Sequence, residues 1–259
     1  MKAPKSRRIA TKKDSRSVLR IGCAGWSIAG AHAGAFSAEG THLQRYAQVF
    51  NCVEINSSFY RPHRLETYRK WAEAVPADFR FSVKMPKAIS HTARLRACGK
   101  LVDAFLAEIG GLGNTLGCVL LQLPPSHAYD AAVVSRLFKR VRASYAGPLA
   151  CEPRHASWFN SRVARALRKQ CVALVAADPA KVPRAAVPGG DHSIEYARLH
   201  GSPRMYYDTY SAAALARLAR RLRRPAAHTT ERWVIFDNTA LGHAIPNALD
   251  IQQRLRRAS

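Results

Sequence analysis

The chain is short of acid. Against 41 Lys and Arg it carries 17 Asp and Glu, a formal charge of +24 over 259 residues. It has no apolar run near the roughly 18 residues that span a bilayer, and its N-terminus lacks the apolar segment of a secretory signal. Those absences argue against a helical membrane protein and lead to a cytoplasmic expectation. Gly-x-Gly-x-x-Gly and Walker loops are missing as well, so no nucleotide cofactor is expected. No two of the six cysteines stand at Cys-x-x-Cys spacing, and neither His-x-His nor His-Glu-x-x-His occurs, which removes the specific zinc signatures. Cys23, Cys52, Cys118, Cys151 and Cys171 fall in or beside apolar runs and read as reduced, buried hydrophobes. Cys98, in a polar stretch, is the candidate reactive thiol.

What the chain has is a repeated pattern of short apolar runs that end in charged or amide side chains two residues apart. Cys52-Val53-Glu54-Ile55-Asn56, Cys151-Glu152-Pro153-Arg154 and Ala197-Arg198-Leu199-His200 are examples, with similar endings at Lys84, Gln122, Asp178 and Asp237. Alternate side chains of a strand share a face, so Glu54 with Asn56, Glu152 with Arg154, and Arg198 with His200 point the same way. Eight such runs are expected as strands: residues 19–26, 52–57, 79–85, 116–123, 149–154, 171–177, 195–200 and 232–236. Helical spacing intervenes at 41–50, 64–74, 100–112, 129–145, 161–169 and 211–224. Eight strands in about 240 residues predict an α/β fold, a single TIM-type (β/α)8 parallel barrel over residues 19–259, with its site at the carboxyl-end mouth. Residues 1–18 hold seven Lys or Arg against one Asp and are expected to be a disordered basic tail.

Two explanations of the charge compete. A basic surface gains affinity for polyanions by releasing counterions. Alternatively, Arg and Ala simply crowd solvated helix faces, as at Arg217, Arg220, Arg221, Arg223 and Arg224.

The strand ends supply the chemistry. Glu152 and Arg154 can pair, which pre-orients a guanidinium for a substrate carboxylate or phosphate. Lys84 could form a Schiff base if burial depressed its pKa; otherwise it stays charged and holds an anion. His200 is the candidate general base, with Asp178 or Asp237 to orient it. The expected catalytic set is Lys84, Glu152, His200 and Asp237. Trp26, Asn56, Tyr60, Gln122, Arg154, His155, Trp158, Arg198 and Asn238 are expected to bind substrate, while Glu54 and Asp178 support them from behind. No cofactor is predicted. A divalent metal is a secondary reading, resting only on the ligand types of Glu54, Glu152, Asp178, His200 and Asp237.

Seven ordered motifs carry a family resemblance. They are Gly22-Cys23-Ala24-Gly25-Trp26, Val53 to Arg61, Phe79 to Lys84, Gln122-Leu123-Pro124-Pro125, Glu152-x-Arg154-His155-x-Ser157-Trp158, Arg198-Leu199-His200-Gly201 and Phe236-Asp237-Asn238. Over residues 19–255 the chain closely resembles the domain of unknown function 72 family, the YecE-like proteins. Pro153 and Ala156 depart from the aliphatic residue and proline expected there. The resemblance implies a TIM-type barrel and supplies no reaction. The leading functional expectation is an enzyme, a hydrolase or lyase, acting on an anionic, phosphate-bearing substrate, with nucleic-acid-derived ones among the candidates. The alternatives are a noncatalytic nucleic-acid or polyanion-binding protein and a small-ligand sensor.

Overall fold

The computed structural model of the chain describes residues 17–226 and 229–257. Most of the expected basic tail, residues 1–16, lies outside the described residues, and Val18 already belongs to the first strand. Ten strands follow: β1 (Val18–Cys23), β2 (Cys52–Ile55), β3 (Arg80–Lys84), β4 (Leu116–Gln122), β5 (Leu149–Glu152), β6 (Val172–Leu174), β7 (Ala176–Asp178), β8 (Gly189–Gly190), β9 (Ile194–Leu199) and β10 (Glu231–Phe236). They form a four-stranded sheet in the order β1-β10-β9-β7 and a six-stranded sheet in the order β2-β3-β4-β5-β6-β8. Every pairing is parallel except that of β6 with β8. The fold is therefore mixed α/β with parallel sheets.

Helices α1 (His42–Ala47), α2 (Ser57–Tyr60), α3 (Leu65–Glu73), α4 (Gly99–Ile109), α5 (Ala131–Arg142), α6 (Ser161–Arg168), α7 (Ala212–Arg223) and α8 (Ala244–Arg256) connect and follow the strands. Their starts are set locally. Asp130, Asn160 and Ser211 each accept a hydrogen bond from an otherwise unpaired first-turn N–H, and Thr41 forms a capping box with Gln44. None of the described helices is long and apolar enough to cross a membrane.

The two sheets meet at two seams. At one, the chain itself passes between them: Val175 N–H completes the bonding of β6 to β5 by donating to Cys151 O at 2.9 Å, and Ala176 then pairs with Ala197 of β9. The expected continuous strand over 171–177 is thus divided at Val175, where its partner changes. At the other seam side chains substitute for a ladder between β1 and β2. Asn51 Oδ1 accepts from Ile21 N–H at 3.0 Å while its amide donates to Leu19 O at 2.8 Å. The Tyr46 hydroxyl accepts from Cys23 N–H at 2.7 Å and donates to Cys52 O at 3.1 Å. Gly22 has to be glycine here, because a Cβ would stand 2.1 Å from Cys52 O.

Apolar burial falls into two groups. One packs the outer faces of the strands beneath the helices. The other draws Cys52, Leu120, Ala150, Ala173, Tyr196 and Ile235, among others, from both sheets into a separate inner cluster. There Tyr196 stacks on Trp233, with ring centroids 5.7 Å apart. Two residues further along their strands than Cys52, Leu120, Ala150, Tyr196 and Ile235 stand Glu54, Gln122, Glu152, Arg198 and Asp237. Strand parity therefore lifts the polar residues onto the carboxyl-end side of the inner cluster.

Two expectations for the cysteines are corrected. Cys98 is buried, which pushes its thiol pKa up; Cys171 is the exposed cysteine, at a turn with φ +54°. The C-terminal helix α8 was not anticipated. Between β7 and β9 the chain forms a short 3-10 turn, Pro183–Ala186, and β8.

Candidate functional site

Arg198 is the hub. Its side chain is 0% exposed, and it bonds three carboxylates carried by β2, β5 and the end of β10. Nε and Nη2 donate to Glu54 Oε2 and Oε1 at 2.9 and 2.7 Å, Nη1 donates to Glu152 Oε2 at 2.6 Å, and Nη2 also donates to Asp237 Oδ2 at 2.9 Å. Sequence reading placed Arg198 against substrate and Glu54 behind it. In the structure both are enclosed, and Arg198 has its charge committed to the carboxylates. The Tyr196 hydroxyl lies 2.9 Å from Glu54 Oε2 and 2.8 Å from Ser82 Oγ, closing the network from below.

His200 sits between two of the same acids. Nδ1 is 2.9 Å from Asp237 Oδ2 and Nε2 is 3.2 Å from Glu152 Oε1. Carboxylates at both ring nitrogens require both to donate, which is the imidazolium form. Burial works against that charge, but Glu152 and Asp237 outweigh it and raise the His200 pKa above its ordinary value. Its resting form is accordingly a proton donor, whereas the sequence pointed to a base. Burial likewise opposes ionisation of Glu152 and Asp237, yet Arg198 and His200 hold Glu152 well below the usual carboxylate range and Asp237 below it. Asp237 is the side-chain partner of His200, while Asp178 is not: Asp178 is exposed and accepts from the Tyr210 hydroxyl at 3.0 Å.

Two cations remain with donors to offer. Arg154 Nε donates to Glu152 Oε1 and its Nη2 to the Tyr206 hydroxyl, both at 2.9 Å, leaving Nη1 without a partner among the described residues. Lys84 ends β3, buried, with Nζ 4.2 Å from the centroid of the Phe59 ring and no carboxylate within 4.0 Å among the described residues. Burial and the neighbouring Arg198 charge lower the Lys84 pKa to about 8, despite Glu54, Asp237 and Glu152. Asn56 donates to Asp237 Oδ1 at 3.3 Å, and its own Oδ1 is buried without a partner. The Gln122 amide, also buried, makes no hydrogen bond to a described residue.

Other expected site residues have partners outside this network. Trp158 is fully buried, donates Nε1–H to His127 O at 2.9 Å and packs edge-on against Tyr129. Asn238 is enclosed and donates to Asp208 O and Asn247 Oδ1. His155 caps the short turn beneath Ser157. Trp26 meets Trp71 edge to face at 5.0 Å, and Tyr60 is 79% exposed beside Phe59. Sequence reading missed Tyr196, Ser82, Phe59 and His91. Parity could have found the first two, which precede Arg198 and Lys84 by two residues; His91 lies in the π-helical turn Ala88–Thr92 after β3, edge-on to Phe59 at 5.1 Å.

The chain matches the family described as Protein of unknown function DUF72 over residues 20–259. It belongs to the DUF72 family. Among curated DUF72-like relatives, UPF0759 protein YecE of Escherichia coli K12 is 44% identical over 84 residues, 32% of this chain and 31% of that protein. UPF0759 protein YunF of Bacillus subtilis 168 is 28% identical over 154 residues, 55% of this chain and 53% of that protein. The aligned stretches thus span about a third of YecE and about half of YunF. DUF72 structures share the fold. One from Enterococcus faecalis V583 superposes with a TM-score of 0.77 at 22% identity, covering 92% of this chain and 96% of that one. One from Thermotoga maritima MSB8 gives 0.75 at 24%, covering 92% and 99%. Within this DUF72 chain the three network carboxylates converge on Arg198. Among the described residues no group of three or more His, Cys, Asp or Glu is arranged to hold a metal ion.

Proposed function

We propose that the two sheets make one closed (β/α)8-type barrel over residues 19–259, behind a basic tail, and that its carboxyl-end mouth is the active site of an enzyme for a small anionic substrate. Closure is supported by the side-chain seam at Asn51 and Tyr46 and by an inner cluster drawn from both sheets. The observation that carries the function is the unequal pairing of charge: Arg198 and His200 are committed to Glu54, Glu152 and Asp237, while Lys84 and one Arg154 nitrogen are not. A buried network of this kind is poor value as a stabiliser compared with apolar packing, and perturbed ionisable groups cluster at functional sites. Exposed Arg61, Lys87, Arg94, Lys181 and Arg204, in loops that follow the strands, add positive potential at the rim. In this reading Lys84 and Arg154 bind the anion, and Glu152, His200 and Asp237 hold and move a proton.

The test is binding followed by turnover. Inorganic phosphate should stabilise the protein in thermal-shift titrations, and Lys84→Met or Arg154→Met should weaken that affinity about tenfold, the scale of one charge-assisted bond. A screen of phosphorylated and carboxylated metabolites followed by NMR should give product with the wild type and none with Glu152→Gln. Equal turnover by wild type, Lys84→Met and Glu152→Gln would remove the assignment.

A second reading rests on the exterior. Arg136, Lys139, Arg162, Arg165, Arg220 and Arg223 are all exposed on α5 to α7, which fits polyanion binding. Titrating short duplex DNA and RNA across a salt series tests it, because each phosphate neutralised adds close to one unit of slope. Absence of binding at low salt ends this alternative.

A further inference from the structure

The mouth contains a lysine whose surroundings suit a nucleophile in its neutral form as well as an anion anchor in its charged form. Lys84 has no carboxylate within 4.0 Å among the described residues, and its Nζ lies 4.2 Å from the centroid of the Phe59 ring, whose face attracts the ammonium without neutralising it. The groups acting on it are the Arg198 guanidinium, which disfavours its charge, and Glu54, Asp237 and Glu152, which favour it; Lys84 in turn acts on His91. With a pKa of about 8, about one molecule in ten carries a neutral Lys84 amine at pH 7. His91, which burial and the nearby lysines hold below its ordinary pKa, adds no charge there. A proton donor is already built in, since His200 sits between Glu152 and Asp237 with both nitrogens engaged.

Resting on the enzymatic reading above, we propose that Lys84 forms an imine with the carbonyl carbon of a small anionic aldehyde or keto acid. The neutral Nζ attacks the carbonyl carbon, and the C=O electron pair moves to oxygen, which takes a proton to give a carbinolamine. That hydroxyl leaves as water after a second protonation while nitrogen shares its lone pair with carbon. Nitrogen loses one proton and keeps one, while the departing oxygen gains two, the second from the His200 imidazolium, so the product is the protonated iminium and no oxidant or reductant enters. His200 is the proton source in the mouth, and the Arg154 Nη1 donor receives the substrate's carboxylate or phosphate. The iminium so formed withdraws electrons from the adjacent carbon, which is the electronic basis of lyase chemistry on such substrates.

Reductive trapping tests this on the full chain. Pyruvate and glyceraldehyde 3-phosphate are incubated separately with the protein and sodium borohydride, and the adduct is mapped by peptide mass spectrometry. The expected result is one dominant adduct, with pyruvate or with glyceraldehyde 3-phosphate, on Lys84, formed more rapidly as the pH rises through about 8. Excess inorganic phosphate should suppress it. Lys84→Arg, which keeps the charge, should lose the adduct and retain phosphate binding. Adduct spread over exposed lysines such as Lys87 and Lys181, or absent from Lys84 with both probes, overturns the imine. If phosphate still binds in that case, the anion site survives without it; if phosphate does not bind, the enzymatic reading falls too.

Discussion

Arg198 meets Glu54 in a two-point ion pair with neither side chain exposed, Nε to Oε2 at 2.9 Å and Nη2 to Oε1 at 2.7 Å. The pair joins β9 of one sheet to β2 of the other, so it is structural as well as chemical. Removing Arg198 leaves three buried carboxylates facing one another, whereas removing the Glu54 charge leaves Arg198 two partners. Arg198→Met should therefore cost about 3–5 kcal/mol of unfolding free energy and Glu54→Gln about 1–3 kcal/mol. Urea denaturation measures both. Equal losses would show that Arg198 is not the hub.

Stability should depend on pH in three separable ways. Glu152 and Asp237 titrate lower when folded, so their contribution is present above about pH 4 and is lost as pH falls through their folded values. His200 titrates higher when folded; its contribution is complete below about pH 6.5 and is lost as pH rises through the folded value. Lys84 has the opposite sign. Its pKa falls from 10.5 to about 8 on folding, so the unfolded chain holds more protons between those values and stability rises across that window. Denaturant titrations from pH 4 to 10 should show His200→Asn abolishing the fall above neutrality and Lys84→Met abolishing the alkaline rise.

Lys84→Met should also make the protein more stable at pH 7, by about 1–3 kcal/mol, because it removes a buried ammonium that the fold disfavours. Methionine keeps an unbranched apolar side chain and removes the ammonium that sits 4.2 Å from the Phe59 ring centroid. A stabilised protein with phosphate affinity about tenfold weaker is the signature of a functional residue. A destabilised one would mean that Lys84 is held by the fold for structural reasons.

Trp158→Phe separates structure from chemistry in the opposite direction. The substitution removes the donor to His127 O and leaves that buried carbonyl unpaired, at about 1–3 kcal/mol. Phosphate affinity should stay within twofold of wild type. A large loss of affinity at unchanged stability would return Trp158 to the mouth.

How much of this was legible depended on whether a residue sits in a strand or a loop. Parity along β2, β5 and β9 put Glu54, Glu152, Arg198 and His200 on inward faces, and the structure gathers those four with Asp237. Tyr196 follows the same rule, but an uncharged aromatic inside an apolar run carries no polar signal. Trp158 and Asn238 stand beyond strand ends, where no two-residue period fixes direction, and both turn into the protein. The pairing of Arg198 with Glu54 spans 144 residues, and nothing local sets such a match. Whether Lys84 is paired depends on that distant allocation of carboxylates.

The β1–β2 seam offers the most direct test of closure. There Asn51 gives and accepts one hydrogen bond with the β1 backbone, so Asn51→Ala should cost about 2 kcal/mol, one net unit per bond. Gly22→Ala should cost about 1–3 kcal/mol or more, because a Cβ there meets Cys52 O at 2.1 Å and relief requires parting β1 from β2. The effect should extend upward. Just beyond this seam Gly25 N–H donates to Glu54 O at 2.9 Å, so the strand carrying the Arg198 partner shifts when the seam opens. In hydrogen exchange, Ile21 and Gly25 amides should lose protection in both variants, while Val119 within the β3–β5 region keeps it. Phosphate affinity should fall in step with Gly25 protection if the seam positions Glu54. Two sheets that fold independently would instead leave the Gly25 amide and phosphate binding unchanged.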